Sequence, residues 1–335
     1  MSLTIEGGAA PALEPAETVT QPVKSENSAP ESTVKQENNN STLAKAGELQ
    51  FSGAYMAARV DRQQPVPVTT PLSTTGTAAG TQATYQVGPP ARPNIRHDNG
   101  FLQNPNNPND PKPMPTRAPT DAERSAYNTQ VFKANAGRIA QFVGYLPDGI
   151  ENYRHFLTGN GADHKFSYDK FVSDDKSGQT VLKNAIGDTQ KGAEEIYRQM
   201  VAKDPSLANK PVTFQITGSQ IGVGSGNRFP YPATENWQKA IGGHSIWNSA
   251  QVTVTPPNKP GGQPTYKMQY KLHGEDRYNF NPNQQDIATG QPDSDNGRFE
   301  VSGLARQFTN YATLQRNVSW VGGKISGTTS VNQNR

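Results

Sequence analysis

Between His273 and Glu300 the chain concentrates side chains that move protons or hold anions. The order is His273-Gly274-Glu275-Asp276-Arg277-Tyr278-Asn279-Phe280, then Asp286, then Asp293-Ser294-Asp295-Asn296-Gly297-Arg298-Phe299-Glu300. In an extended chain alternate side chains project to one side, so Asp276 and Tyr278 share a face. Arg298, expected on a neighbouring strand, would bring a planar cation to Asp276, a pairing suited to a phosphoryl or carboxylate group. His273, placed at the end of a strand on its polar face, is a proton carrier. The plainer alternative is an Asp276–Arg298 bridge that braces the intervening loop, with Tyr278 and Phe280 packing beneath it.

A second candidate surrounds His244 in Trp237-Gln238-Lys239-Ala240-Ile241-Gly242-Gly243-His244-Ser245-Ile246-Trp247. Two tryptophans this close read first as core anchors with satisfied indole N–H groups. The functional alternative is an aromatic platform for a sugar or a lipid headgroup, with His244 beside it as acid or base. The catalytic candidates are thus Asp276, Tyr278, Arg298, His273 and His244.

Other patterns say less. Gly222-Val223-Gly224-Ser225-Gly226 lacks the Gly-Lys-Ser/Thr of a phosphate loop and a following helix, and reads as a flexible hairpin loop. The five histidines show no metal-ligand spacing on one element, so a metal is not assigned. Counted from Asp293, the glycine of the acidic loop falls one place early for a calcium-binding loop, which leaves turn chemistry as its reading. No cofactor can be named.

Positioning these groups needs a scaffold, and composition says where it lies. Of 335 residues only 32% are hydrophobic, with mean hydropathy −0.78. Residues 1–119 hold 16 of the 27 prolines but 4 of the 27 aromatics. So few bulky groups cannot offset ordering entropy, so 1–119 is expected as a disordered tail and Pro/Thr/Asn-rich linker, although Phe51, Tyr55, Tyr85 and Phe101 could dock on a folded neighbour. Thr120-Asp121-Ala122-Glu123 is a capping box that opens a helical segment, 120–205. Its signals are one helix face at Ile139, Phe142, Val143 and Leu146, a short helix over 150–157, and a long period-3.6 run over 179–203. After Pro211 the period becomes two. Val212–Thr217, Gln251–Thr255, Tyr266–Leu272, 298–304 and 313–321 read as strands of an antiparallel β-rich segment, 206–325, followed by a flexible end, 326–335. Helices followed by strands imply an α+β domain.

Absences narrow the class. The chain has no cysteine, so disulfides and thiolate metal sites are excluded. A net charge of +3 without basic runs argues against a nucleic-acid partner. No apolar run is long enough for a transmembrane segment. The opening Met1–Gly7 has neither the basic nor the apolar region of a classical signal peptide, so secretion by another route, or cytoplasmic residence, is expected.

A long cysteine-free N-terminus, a helical middle and a β-rich end resemble the layout of bacterial secreted toxins. Asp276-Arg277-Tyr278-Asn279 is similar to the Asp-x-Tyr-Asp motif of colicin M-type bacteriocins, with Asn279 where that family has Asp. The resemblance covers about a tenth of the chain. It implies a lipid II-degrading hydrolase that cleaves the pyrophosphate linkage. The positions that match the motif are Asp276 and Tyr278. Independently of the resemblance, if the domain is an enzyme, Asp276 is expected as base or ligand, Arg298 as an oxyanion partner, and His244 or His273 as the proton carrier. The implied partners are an envelope lipid or glycan headgroup and an immunity or chaperone protein. The reading from a different class is a non-catalytic structural or binding protein of a virion or secretion apparatus.

Overall fold

A computed structural model of the chain describes residues 66–67, 80–108, 110, 113–139, 146–224 and 226–332. All of them fall in one compact unit, Gln64–Arg335. The expected tail over 1–50 lies outside the described residues, as does most of the helix face read at Ile139, Phe142, Val143 and Leu146.

Strand-period residues build one nine-stranded sheet. Its centre is four long antiparallel neighbours: β4 (Val212–Gly218), β6 (His244–Thr255), β7 (Thr265–Tyr278) and β8 (Phe308–Val321). Short strands complete it. β1 (Val66–Pro67) and β3 (His164–Lys165) pair parallel with β4 and β8, whereas β2 (Tyr85–Val87), β5 (Ile221–Val223) and β9 (Thr329–Asn332) pair antiparallel with β4, β6 and β8. The described helices are α1 (Asp121–Ile139), α2 (Pro147–Thr158), α3 (Tyr168–Asp174), α4 (Lys176–Lys203), α5 (Glu235–Ala240) and α6 (Ser294–Val301).

Alternation fixes which face is dry. On β7, Tyr266, Met268, Tyr270 and Leu272 are buried while Thr265, Lys267, Gln269 and Lys271 are exposed. The dry face packs on α4, whose Val181, Ala185, Ala193, Ile196 and Met200 are buried to the last. A second cluster gathers at the other end of β7 and β8, from Ala134, Phe156, Leu157, Phe299, Ala305 and Phe308, with Tyr278 and Phe280 against it.

The α+β composition holds, but a helical block followed by a β block does not describe the order. β1 and β2 precede the helices, β3 interrupts them, and α5 and α6 lie among the strands. Two expectations need correction. The strand read at 298–304 is helix α6, and the C-terminal stretch beyond 325 contains β9, paired with β8. Residues 80–102, expected as part of the linker, are built into the fold: Ala83 and Tyr85 are fully buried and Ile95 and Leu102 nearly so.

The predicted capping box is formed. The Thr120 backbone N–H donates to Glu123 Oε2 at 2.9 Å, and the Glu123 N–H donates to Thr120 Oγ1 at 3.2 Å. Arg117 adds a 2.5 Å ion pair to the same carboxylate. Thr120→Ala is expected to lower stability by about 1 kcal/mol, read as a shift in the urea midpoint without a change in slope.

Candidate functional site

The sequence candidates separate into three places. Asp276 and Tyr278 lie on the helix side of β7 at its C-terminal end, as alternation requires. His273 points to the opposite side. Its ring stacks on Trp247 at 3.8 Å, its Nε2 sits 3.0 Å from Ser249 Oγ, and burial followed by the nearby Lys271 charge lowers its pKa to about 4. His244 starts β6 inside the core. It sits between the rings of Tyr168 and Phe171, with Nε2 3.0 Å from the Tyr168 hydroxyl, and burial lowers its pKa to about 4 as well. Both imidazoles are therefore neutral at physiological pH. Of the two tryptophans, Trp237 is a core anchor, but its indole N–H has no acceptor, and Trp247 is covered by His273 rather than offered as a platform.

Arg298 is the clearest departure. It stands on the exposed side of α6, where its Nε donates to the Asp295 carbonyl at 2.9 Å and its guanidinium lies over the Phe299 ring. No ion pair joins it to Asp276, so neither the anion clamp nor the bracing bridge exists. Phe280 and Tyr278 do pack beneath the loop, in the second core cluster.

The acid that acts on Asp276 is Asp98, and two phenols, Tyr231 and Tyr278, feel the charge of Asp276. Its side is 7% exposed, and burial, then the charge of Asp98, raises its pKa well above the ordinary 3.8 despite Arg277. Tyr231 is next to it: burial and then the charges of Asp276, Asp286 and Asp293 together raise the Tyr231 pKa. Tyr278 feels Tyr153, Asp276, Asp293 and Asp286. Tyr231 is placed by two glycines, for a Cβ on Gly242 or Gly243 would stand 3.0 or 3.6 Å from its ring or hydroxyl, and Gly242 has φ +49°.

The three carboxylates differ. Asp286 is half-buried, but its hydrogen bonds to Lys239 and Thr289 outweigh desolvation and lower its pKa. Asp293 accepts from the Asn281 N–H at 3.0 Å, yet burial and then Asp286 raise it. Asp276 is raised most. Asp286 acts on Asp293, whereas the acid whose charge acts on Asp276 is Asp98; carboxyls whose pKa values are raised by burial beside a second acid are found where protons are moved. Among the described residues no group of three or more His, Cys, Asp or Glu has metal-binding geometry.

Sequence reasoning saw Asp286 and Asp293 only as turn formers and missed Tyr231 and Lys239. Tyr231 lies in Pro230-Tyr231-Pro232, where no periodicity exists to orient it. Lys239 sits on a helix of six residues, too short to show a face.

The raised Asp276 carboxyl has a consequence for stability. The folded state keeps this proton in a pH range where the unfolded chain has lost it. Stability therefore falls as pH rises from about the ordinary 3.8 towards the folded value. Glu300, raised by burial to about 8 while it accepts from Gln307 and the Phe280 N–H, acts with the same sign between 4.5 and 8. Asp276→Asn removes its share of this slope, so the variant is expected to melt higher than the parent at pH 7 and equal to it at pH 3. Thermal scans at the two pH values check it, and an equal shift at both would contradict the pKa assignment.

No family model matches the chain, and no curated protein matches it. Among solved structures it is similar to PaeM, a colicin M-like bacteriocin produced by Pseudomonas aeruginosa. The TM-score is 0.30 at 13% identity, over 52% of each chain. A likeness of that size carries neither fold nor function from one protein to the other. Among the described residues no helix is long and apolar enough to cross a membrane.

Proposed function

We propose that this chain is an exported bacterial toxin that hydrolyses a phosphorylated precursor of the target cell's envelope, with Asp276 as its acid–base carboxyl. The observation that carries the reading is Asp276 itself. A carboxyl whose pKa burial raises well above the ordinary range, at the end of a long strand, is unfavourable for folding, and groups of that kind concentrate where a proton must be delivered. The likeness of Asp276-x-Tyr278 to the colicin M-type motif agrees with it.

On this reading water adds to phosphorus as the P–O bond breaks, Asp276 gives its proton to the departing oxygen, and the proton lost by the attacking water restores the Asp276 carboxyl. Asp98 is the acid whose charge acts on it, Tyr231 and Tyr278 feel its own charge, and Lys239, paired with Asp286 and within 3.5 Å of Glu235, offers charge to a phosphoryl oxygen. His244, His273 and Arg298, which do not gather here, have no part in the step.

The test measures hydrolysis of a polyprenyl-pyrophosphoryl disaccharide by the parent and by Asp276→Asn. The variant is expected to lose about 100-fold or more in rate, as general acid catalysis would, while melting higher at pH 7. A variant that keeps the parent's rate sinks the reading. A parent that binds envelope material without turning it over leaves the binding-protein reading, which the scattered positions of His244, His273 and Arg298 favour.

A further inference from the structure

The sheet has a second face that the helices do not cover. Its outward side chains follow from the register. Gln215 on β4 stands opposite Gln251 on β6, Gln251 opposite Gln269 on β7, and Gln269 opposite Asn317 on β8. All four are exposed, which makes a row of amides across four strands. Lys267 and Lys271, also exposed, flank that row on β7, about 13 Å apart at the usual strand rise.

The charge on this face has one sign. The outward positions of β4, β6 and β8 contain no carboxylate. The one outward acid on β7, Glu275, is taken by Arg92 at 2.5 Å and His97 at 2.7 Å. Lys267 and Lys271 belong to none of the ion pairs among the described residues. Solvated antiparallel faces normally set opposite charges across strands, which stabilises the pair. Here the lysines face only amides and hydroxyls.

We infer that this face binds an anionic polysaccharide. Amide and hydroxyl groups in a flat array match a hydroxyl-rich chain, and the lysines match its acidic groups. The other polyanions fit less well. Nucleic acid needs aromatic platforms for its bases, and Trp247 is already stacked under His273. A protein partner or a lipid surface needs clustered large apolar anchors, whereas the exposed ones nearest are dispersed: Val331 stands opposite Asn317 on the edge strand β9, and Tyr311 and Val321 lie apart on β8. The inference is independent of the hydrolytic reading, because the two sites occupy opposite faces of β7.

Affinity electrophoresis of the full chain tests it, with polygalacturonate, neutral dextran and single-stranded DNA as probes. Polygalacturonate is expected to retard the parent and dextran to leave it unaffected. Lys267→Gln with Lys271→Gln is expected to weaken polygalacturonate binding about tenfold. Gln251→Ala with Gln269→Ala, which changes no charge, is expected to weaken it about threefold. All four positions are solvent-facing, and unchanged melting temperatures confirm that the variants are folded. Binding that survives the lysine pair, binding that ignores the glutamine pair, or equal retardation by DNA each overturns the inference.

Discussion

A chain that begins at Thr120 fails to fold, whereas one that begins at Gly80 folds; this is the expected outcome when the two are purified and melted. The described residues between 80 and 102 send side chains into the interior. Tyr85 is fully buried, and its ring fills notches at Gly192 and Gly218, where a Cβ would stand 2.3 and 2.9 Å from ring atoms. Phe101 fills the equivalent notch at Gly297. Removing an aromatic from such a site costs about 3–5 kcal/mol. Glu275, with 3% of its side chain exposed, loses both Arg92 and His97. Desolvation raises the Glu275 pKa, but these partners overcome it and hold the value at about 2. Leaving that charge buried and unpaired costs a further ~3–5 kcal/mol. β4 loses its pairing with β2, and Gln215 loses the 2.9 Å hydrogen bond from Gly88 N–H. Together these approach or exceed the ~5–15 kcal/mol that holds a whole domain folded. Differential scanning calorimetry decides it. A cooperative transition from the chain starting at Thr120 would show that the segment is an accessory.

That segment also marks the limit of what the sequence discloses. The long elements were legible because their periods are long. Twenty-eight residues of α4 repeat at 3.6, the first eight residues of β7 alternate, and Thr120 with Glu123 closes its box as spacing requires. Residues 80–119 have no period, since prolines interrupt every run. Their attachment depends on single aromatics, Tyr85 and Phe101, meeting glycines that lie more than a hundred residues away. Docking by these two was foreseeable, but the partners were not.

The candidate site was half-legible for the same reason. Asp276 and Tyr278 share a face because both belong to one strand and β-alternation is rigid. Arg298 was misplaced because Arg298-Phe299-Glu300-Val301 is too short to separate a period of two from one of 3.6. The chain there is α6, with Phe299 and Glu300 buried and Arg298 turned to solvent. His273 was assigned to the site although odd and even positions of β7 face opposite ways. Tyr231 and Lys239 arrive from segments whose only link to Asp276 is tertiary.

Asp188→Ala is expected to lower stability by about 2–4 kcal/mol, through the buried hydrogen bonds it removes. Asp188 is a fully buried carboxylate on α4. Its oxygens accept from the Gln82 N–H at 2.6 Å, the Ala83 N–H at 3.0 Å and the Tyr85 hydroxyl at 3.2 Å, and Arg228 pairs with it at 2.6 Å. The same Tyr85 hydroxyl lies 3.0 Å from Thr189 Oγ1, and Tyr270 donates to Asn248 at 2.6 Å in the adjoining core. One side chain thus fastens the entering segment to the helix that covers the sheet. Arg228, partly exposed at 38%, can turn to water when Asp188 is removed, so little of the loss arises there. Most arises from the backbone N–H of the buried Ala83, left without an acceptor at about 1–3 kcal/mol, with smaller shares from the N–H of the exposed Gln82 and from the buried Tyr85 hydroxyl. Asp188→Asn separates the two sources. It keeps an oxygen acceptor but gives up the charge and presents an N–H₂ to donors, so it is expected to recover only part of the loss. Urea midpoints of the parent and both variants measure this, and an alanine variant within ~1 kcal/mol of the parent would mean that residues 80–85 are held by Tyr85 packing alone.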